Sequence, residues 1–170
     1  MDITTSQTIG PFSHEAWRWG CNATAIVTST APAMTLHGIV FDGNGLPVDD
    51  ALIEAWQPAS TAVESSHALP GFRRVASAAD GSFSMTLTRP AGASPGAPAA
   101  FITVFARGLG KHQFSAVFLA DDPHLASAPI LAQVPADRQA TLIARADGGA
   151  TYTWNIVLQG PHETVFFDYA

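Results

Sequence analysis

The chain has 170 residues, a net charge of −6 at pH 7 and a hydrophobic fraction of 47%. This length and composition predict one globular domain with its own core and exclude general disorder. No run of Lys or Arg is present, so neither nucleic acid nor an anionic membrane surface is expected as a partner.

The first part of the chain lacks the strand periodicity that follows it. We predict that residues 1–33 form an arm that packs on a partner subunit, because Phe12, Trp17 and Trp19 would be costly to leave in water. Residues 34–170 are predicted to form the folded domain. The first residues have neither the basic nor the apolar region of a signal peptide, which favours a soluble, cytoplasmic protein.

Short segments with the composition or alternation of β-strands recur along the domain. They cover residues 36–41, 51–56, 82–87, 101–105, 113–119 and 151–158. The last segment alternates most clearly, with Tyr152, Trp154, Ile156 and Leu158 on one face. Several short strands of this kind predict an all-β domain, and we expect an Ig-like antiparallel β-sandwich.

Turn sequences separate these segments. Residues 42–45, 80–81 and 147–149 combine Asp with Gly, which tolerates positive φ. One short helix is predicted from the Asp-Asp-Pro sequence at 121–123, where an acidic N-cap precedes a proline at the first helical position. A further single turn is expected at 135–139.

Unaided, the sequence contains no recognisable catalytic constellation. None of the six histidines stands at a metal-binding spacing from another, which favours solvated or surface histidines. They are His14, His37, His67, His112, His124 and His162. The nucleophile elbow and the phosphate-binding glycine loop are absent, and the single cysteine, Cys21, has no nearby base in the sequence. We therefore expect no metal site within this chain.

Three segments carry a resemblance to a known family. The first is Thr-Ser-Gln-Thr-Ile-Gly-Pro-Phe at 5–12, and the second is the 36–57 region with its Asp-Gly turn and its Glu-Ala-Trp-Gln strand. The third combines Phe-Ala-Arg-Gly at 105–108 with the ending Glu-Thr-Val-Phe-Phe-Asp at 163–168. Together they resemble the intradiol ring-cleaving dioxygenases of the protocatechuate 3,4-dioxygenase type, and the third is similar to the α chain of that family. The resemblance runs along nearly the whole sequence.

The resemblance implies an enzyme whose metal belongs to a second chain. In this family two tyrosinates and a His-x-His pair of the β chain hold Fe(III). The strand that would carry the His-x-His pair has Ala99 and Phe101 at those positions, and Tyr152 and Tyr169 lie outside both tyrosine-ligand regions. The resemblance thus implies an iron-free subunit whose cofactor, Fe(III), is bound by a homologous β subunit.

The resemblance also implies which residues of this chain meet the substrate. By resemblance, Thr8, Gly10 and Pro11 of the arm and Arg107 line the cavity where the catechol binds. A Gly-Pro turn lets backbone approach a flat ring closely, and Arg107 would act as a catalytic cation near an anionic substrate. Two structural alternatives stay open: an ion pair of Arg107 that positions the subunit interface, and a local hydrogen bond of Thr8 that shapes the turn.

The implied reaction is intradiol cleavage of protocatechuate with O2 to 3-carboxy-cis,cis-muconate, carried out in a larger (αβ)n oligomer. A catalytically silent β-sandwich module for interaction or assembly is an alternative. A dioxygenase for another substituted catechol, such as a sulfocatechol, is a second, and a self-sufficient homomeric enzyme with another metal arrangement is a third. The chain is shorter than usual for the family between residues 19 and 34 and around 61–70, which leaves the preferred ring substituent open.

Overall fold

A computed structural model of the chain describes residues 20–25, 31–60, 62–67, 69–89 and 95–168. Strands dominate these ranges, which confirms the prediction of an all-β domain. In chain order they are β1 Ala33–Phe41, β2 Leu52–Trp56, β3 Phe72–Ala76, β4 Ser82–Thr88, β5 Ala100–Phe105, β6 Gln113–Leu119, β7 Ile143–Gly148, β8 Thr151–Thr153 and β9 Ile156–Val157. The two strands that periodicity missed are β3 and β7.

The strands form one continuous hydrogen-bonded path. Its order is β3-β2-β5-β6-β7-β8-β1-β4, and β9 lies beside β1. The two ends of the path, β3 and β4, contact each other, so that the sheet is nearly closed into a barrel. The expectation of an Ig-like sandwich stays a prediction. A sandwich has two separate sheets, whereas here the pairing of β6 with β7 joins one half of the sheet, β3-β2-β5-β6, to the other half, β7-β8-β1-β4.

The expected antiparallel pairing is present in five strand pairs of the described residues but does not extend to the whole sheet. β1 pairs in parallel with β8 and β9, and β6 pairs in parallel with β7. A tight turn cannot join parallel neighbours, which need a long connection. Residues 120–142 supply that connection between β6 and β7 through short 3₁₀ turns, at Leu125–Ser127, Leu131–Gln133 and Gln139–Leu142.

The described residues include one short α-helix, as expected, but its predicted place after Asp121 was wrong. Residues 20–24 are helical, whereas the segment after Asp121 forms a turn and then a 3₁₀ turn. The carboxylate of Asp122 accepts the backbone N–H of His124 at 2.8 Å, which closes a local turn instead of capping an α-helix. The predicted turn at 135–139 is present, with Arg138 N donating to Pro135 O at 2.8 Å. Each helical segment in the described part of the chain is too short or too polar to traverse a bilayer.

The Asp-Gly turns lie where the sequence places them. The carboxylate of Asp42 accepts the backbone N–H groups of Asn44 and Leu46 at 2.8 and 2.9 Å, and Gly45 takes a φ of 77°. This local network ends β1 and turns the chain toward β2. The turn at 147–149 joins β7 to β8.

The core lies between the two halves of the sheet. Its fully buried side chains come from strands of both halves, among them Leu36 of β1, Ile53 of β2, Val104 of β5 and Tyr152 of β8. Burial of each large apolar side chain contributes about 1.5–3 kcal/mol. This packing fixes the ends of β2 and β5, which carry the candidate site.

Buried Gln57, directly after β2, ties the two halves together by hydrogen bonds. Its amide nitrogen donates to Thr88 O and to Ala99 O, both at 2.8 Å, and its amide oxygen accepts Thr88 N at 3.0 Å. The polar end of the Glu-Ala-Trp-Gln motif therefore satisfies backbone groups where β4 ends and β5 begins.

Candidate functional site

Arg107 lies just beyond the end of β5, at the edge of the sheet. β2 and β5 are antiparallel, and their pairing ends with Leu52 opposite Phe105. The segment before β2 therefore runs beside the segment after β5. The turn that follows uses Gly108, whose φ of 87° suits glycine.

The guanidinium of Arg107 is exposed to solvent, and two aspartates lie beside it. Its Nε donates to Oδ2 of Asp50, and its Nη2 lies 4.0 Å from Oδ1 of Asp49. The Arg107 side chain is 58% exposed, whereas that of Asp50 is 12% exposed. The hydrogen bond and charge of Asp50 raise the pKa of Arg107 further above its usual value. The site therefore presents a permanent cation to solvent.

A cavity of about 690 Å³ begins at Gly108, the residue after Arg107. Its walls are residues 108–114, Leu158, Gln159, Glu163 and residues 166–168. Its volume lies within the range of about 300–1,000 Å³ that small-molecule sites occupy. Lys111 and Asp168 in its wall form an ion pair of 3.3 Å, so the cavity is a polar groove, and it starts one residue after Arg107.

His112 has a position in this wall that the sequence did not indicate. Its ring lies between Phe105 and Phe114, with centroid distances of 5.4 and 4.6 Å. The pairing of Val104 with Gln113 brings these three rings together, and only that register would have revealed the cluster. The rings fix the segment that leads from Arg107 back into β6.

The positions that the resemblance assigns to iron ligands do not fit a ferric ion. Ala99 is buried, and Phe101 at the start of β5 packs on the core cluster beneath the 3₁₀ turns. A methyl group and a phenyl ring offer no donor atom to a metal. Within the described ranges, no group of three or more His, Cys, Asp or Glu side chains is arranged to hold one.

Tyr152 and Cys21 also show environments that disfavour their reactive forms. The hydroxyl of Tyr152 lies within the protein and donates to Asp121 at 3.0 Å. Burial and this hydrogen bond raise the pKa of Tyr152, which keeps it a neutral phenol rather than a tyrosinate ligand. Burial likewise raises the pKa of the Cys21 thiol, which disfavours a nucleophilic thiolate. Tyr169 lies outside the described residues.

The predicted arm is described only at its end. Thr8, Gly10 and Pro11 lie outside the described residues, so their predicted contact with substrate stays a prediction. The helical residues 20–24 are anchored on the edge strand β3, where Thr24 Oγ1 accepts Arg74 N at 2.9 Å. Of the predicted site residues, Arg107 is therefore the one that the structure positions.

Comparison with known proteins relates the whole chain to one group of enzymes. The chain is 34% identical to the protocatechuate 3,4-dioxygenase alpha chain of Burkholderia cepacia over an alignment of 190 positions including gaps, which covers 97% of this chain and 96% of that protein. It is 32% identical to the protein of the same name from Pseudomonas putida, with 98% and 96% covered. No protein-family model matches the chain.

A solved structure shows a similar fold. The dioxygenase domain of a dioxygenase–carbohydrate-binding fusion from Streptomyces sp. SirexAA-E superposes with a TM-score of 0.57 at 21% identity, covering 81% of this chain and 87% of that domain. This likeness concerns the fold, while the sequence identity along nearly the full length of two relatives establishes the kinship. The chain therefore belongs to the family of protocatechuate 3,4-dioxygenase alpha chains.

Proposed function

We propose that this chain is the non-iron-binding alpha subunit of a protocatechuate 3,4-dioxygenase and that it completes the active-site pocket of an iron-bearing beta subunit. The reaction is the intradiol cleavage of protocatechuate with O2 to 3-carboxy-cis,cis-muconate. The proposal rests on the position of Arg107, which is an exposed cation at the edge of the domain and lies beside a polar groove. A cation placed there suits a pocket that is shared with a neighbouring subunit.

Arg107 would act on the substrate through charge. Protocatechuate is anionic, and a guanidinium can bind a carboxylate with parallel hydrogen bonds. When the substrate sits beneath a partner, exclusion of water strengthens that attraction and the stabilisation of charge that develops during reaction. Thr8, Gly10 and Pro11 would line the same pocket. Fe(III) held by the partner would activate the catechol and O2, and the side chains at Ala99 and Phe101 are consistent with its absence from this chain.

The nearly closed sheet would correspond to an Ig-like β-sandwich, the predicted arm would pack on the beta subunit, and several αβ units would assemble in the cytoplasm. The low charged fraction of 13%, about half the usual share, supports a surface covered by another chain.

A second candidate is an assembly module without a role in the reaction. The ion pair with Asp50 favours it, because that carboxylate already partly neutralises Arg107. In this case Arg107 would shape a subunit interface and would not meet the substrate. A sulfocatechol would satisfy a cationic pocket as well as protocatechuate does, so both substrates belong in the test.

The experiment is to purify the chain alone and together with its beta subunit, and to measure colour, iron content and O2 consumption with each substrate. We expect the complex to be red-brown and active, because tyrosinate-to-Fe(III) charge transfer gives that colour, and the chain alone to be colourless and inactive. Stoichiometric iron and turnover in the isolated chain would contradict the proposal.

The role of Arg107 is tested with Arg107→Ala in the complex. We expect iron content and assembly to be retained while kcat/KM for the anionic substrate falls. Arg145→Ala is the matched control, because Arg145 is also exposed and lies near an aspartate, Asp147, at 3.8 Å on another part of the sheet. Unchanged kinetics of Arg107→Ala would favour the assembly module.

A further inference from the structure

We infer that Asp50 is a positioning residue, which holds the guanidinium of Arg107 in the orientation that the shared pocket uses. This inference rests on the proposed function, since it concerns how the pocket-lining cation is presented. It adds a residue to the site that neither the motif around Arg107 nor the arm contains.

The backbone brings the two residues together. Continuing the antiparallel register from Leu52 and Phe105 through Ala51 and Ala106 places Asp50 opposite Arg107. Both alanines are buried, at 1% and 2% exposure. The pair of charged residues therefore stands on two chain segments that the core holds in place.

A second contact fixes the segment that carries Asp50. Ala51 N donates to the hydroxyl of Ser77 at 2.9 Å, and Ser77 N donates back to Ala51 O at 2.8 Å. The same hydroxyl donates to Val48 O at 2.8 Å. Asp50 is thus presented by a backbone with defined hydrogen bonds on both sides, unlike a carboxylate at the tip of a loop.

The side chains show which edge of Arg107 is held. Asp50 contacts Nε, while the more distant Asp49, 63% exposed, reaches no closer than 4.0 Å to Nη2. A guanidinium is planar and carries its donors in a fixed fork. An acceptor held at Nε therefore restricts the orientation of the group and leaves the donors of its other edge available to a ligand.

The ion pair between Asp50 and Arg107 is better suited to orienting the guanidinium than to stabilising the fold. Ion pairs with an exposed partner contribute little to folding because water screens them and two side chains must be ordered. An arginine that is ordered before the substrate arrives loses less freedom on binding. Misplacement of a group by a small distance can lower the rate by up to about a hundredfold.

The test uses the complex with the beta subunit and five variants, Asp50→Asn, Asp50→Glu, Asp49→Asn, Arg107→Ala and the double variant Asp50→Asn/Arg107→Ala. We expect Asp50→Asn to lower kcat/KM about tenfold, within the range that misplacement of a group produces. The loss should be divided between kcat and KM in the same way as the loss in Arg107→Ala. Asp50→Glu should recover part of the loss, and Asp49→Asn should cost less than Asp50→Asn, because Asp49 lies 4.0 Å from Nη2, beyond hydrogen-bond distance. Iron content, oligomer size and Tm should be the same in all.

The double variant separates positioning from a structural role. If Asp50 acts through Arg107, the double variant is no worse than Arg107→Ala. Additive losses, or normal kinetics of Asp50→Asn beside an impaired Arg107→Ala, would overturn the inference and leave the proposed function intact. Normal kinetics of Arg107→Ala would overturn both.

Discussion

The Glu64 carboxylate and the Arg73 guanidinium form an ion pair of 2.6 Å inside the domain, with side chains 0% and 2% exposed. Thr88 Oγ1 and Gly71 N also donate to this carboxylate, at 2.6 and 2.8 Å. The network therefore joins the segment after β2 to β3 and β4, and the buried charges have hydrogen-bonded partners.

Glu64→Gln should destabilise the chain by about 3–5 kcal/mol, because it leaves the buried charge of Arg73 without a counter-ion. The measurement is the free energy of unfolding in urea. Arg89→Gln is the control: its ion pair with Asp121 is 37% and 42% exposed, so its removal should cost less than about 1 kcal/mol. Equal losses in the two variants would show that the buried ion pair contributes no more to stability than the exposed one.

The acid sensitivity of folding should depend on the same carboxylate. Burial alone would raise the pKa of Glu64, but the hydrogen bonds from Arg73, Thr88 and Gly71 outweigh it and hold the pKa below its usual value. The folded state then binds fewer protons than the unfolded state below about pH 4.3, so this contribution to stability is complete above that pH and is lost as pH falls through the folded pKa. Unfolding free energies measured from pH 7 to 3 should fall less steeply in Glu64→Gln. An unchanged slope would contradict this.

Gly38 in β1 should tolerate no side chain. A Cβ at this position would lie 1.8 Å from the carbonyl oxygen of Trp154, which is backbone and cannot rotate away. Gly38→Ala should therefore cost more than about 3 kcal/mol, the upper range for overpacking. Gly110→Ala is the matched control, because nothing lies within 4 Å of its added methyl group. Urea unfolding of both variants would test this, and a mild loss in Gly38→Ala would disprove the close approach.

The arm should contribute to activity beyond assembly. Deletion of residues 1–12 removes Thr8, Gly10 and Pro11, which we propose to line the pocket, and should lower kcat/KM in complexes of normal size and iron content. Oligomer mass and steady-state kinetics measured on the same preparation separate the two effects. An arm-less complex with full activity would restrict the arm to packing.

Sequence periodicity predicted side-chain faces better than pairing. The apolar face predicted for 151–158 is correct, since Tyr152, Trp154 and Ile156 are buried and the half-buried Leu158 packs against the core. The single strand predicted there is two, because Asn155 Oδ1 accepts Ile39 N at 3.0 Å in place of a backbone partner. Alternation records which face a residue takes, whereas the hydrogen-bond partner depends on a distant strand.

The missed strand β3 has a specific cause. Its centre is Arg73-Arg74, and two consecutive charged residues do not show the apolar alternation from which strands are predicted. Each is paired elsewhere in the chain, Arg73 with Glu64 and Arg74 with Glu54. The same reason applies to the candidate site: the motif around Arg107 identifies the cation, but its partner Asp50 becomes visible only once the register of β2 and β5 is known.

Side chains form hydrogen bonds with the backbone of both terminal strands of the nearly closed sheet. Arg73 Nε donates to Thr86 O on β4 at 3.0 Å, and Thr24 Oγ1 accepts Arg74 N on β3. Free backbone on an edge strand is a template on which further copies of a protein can stack into fibres. These two side chains occupy part of the free backbone on β4 and β3, which leaves less of each edge open to pairing with another copy of the chain.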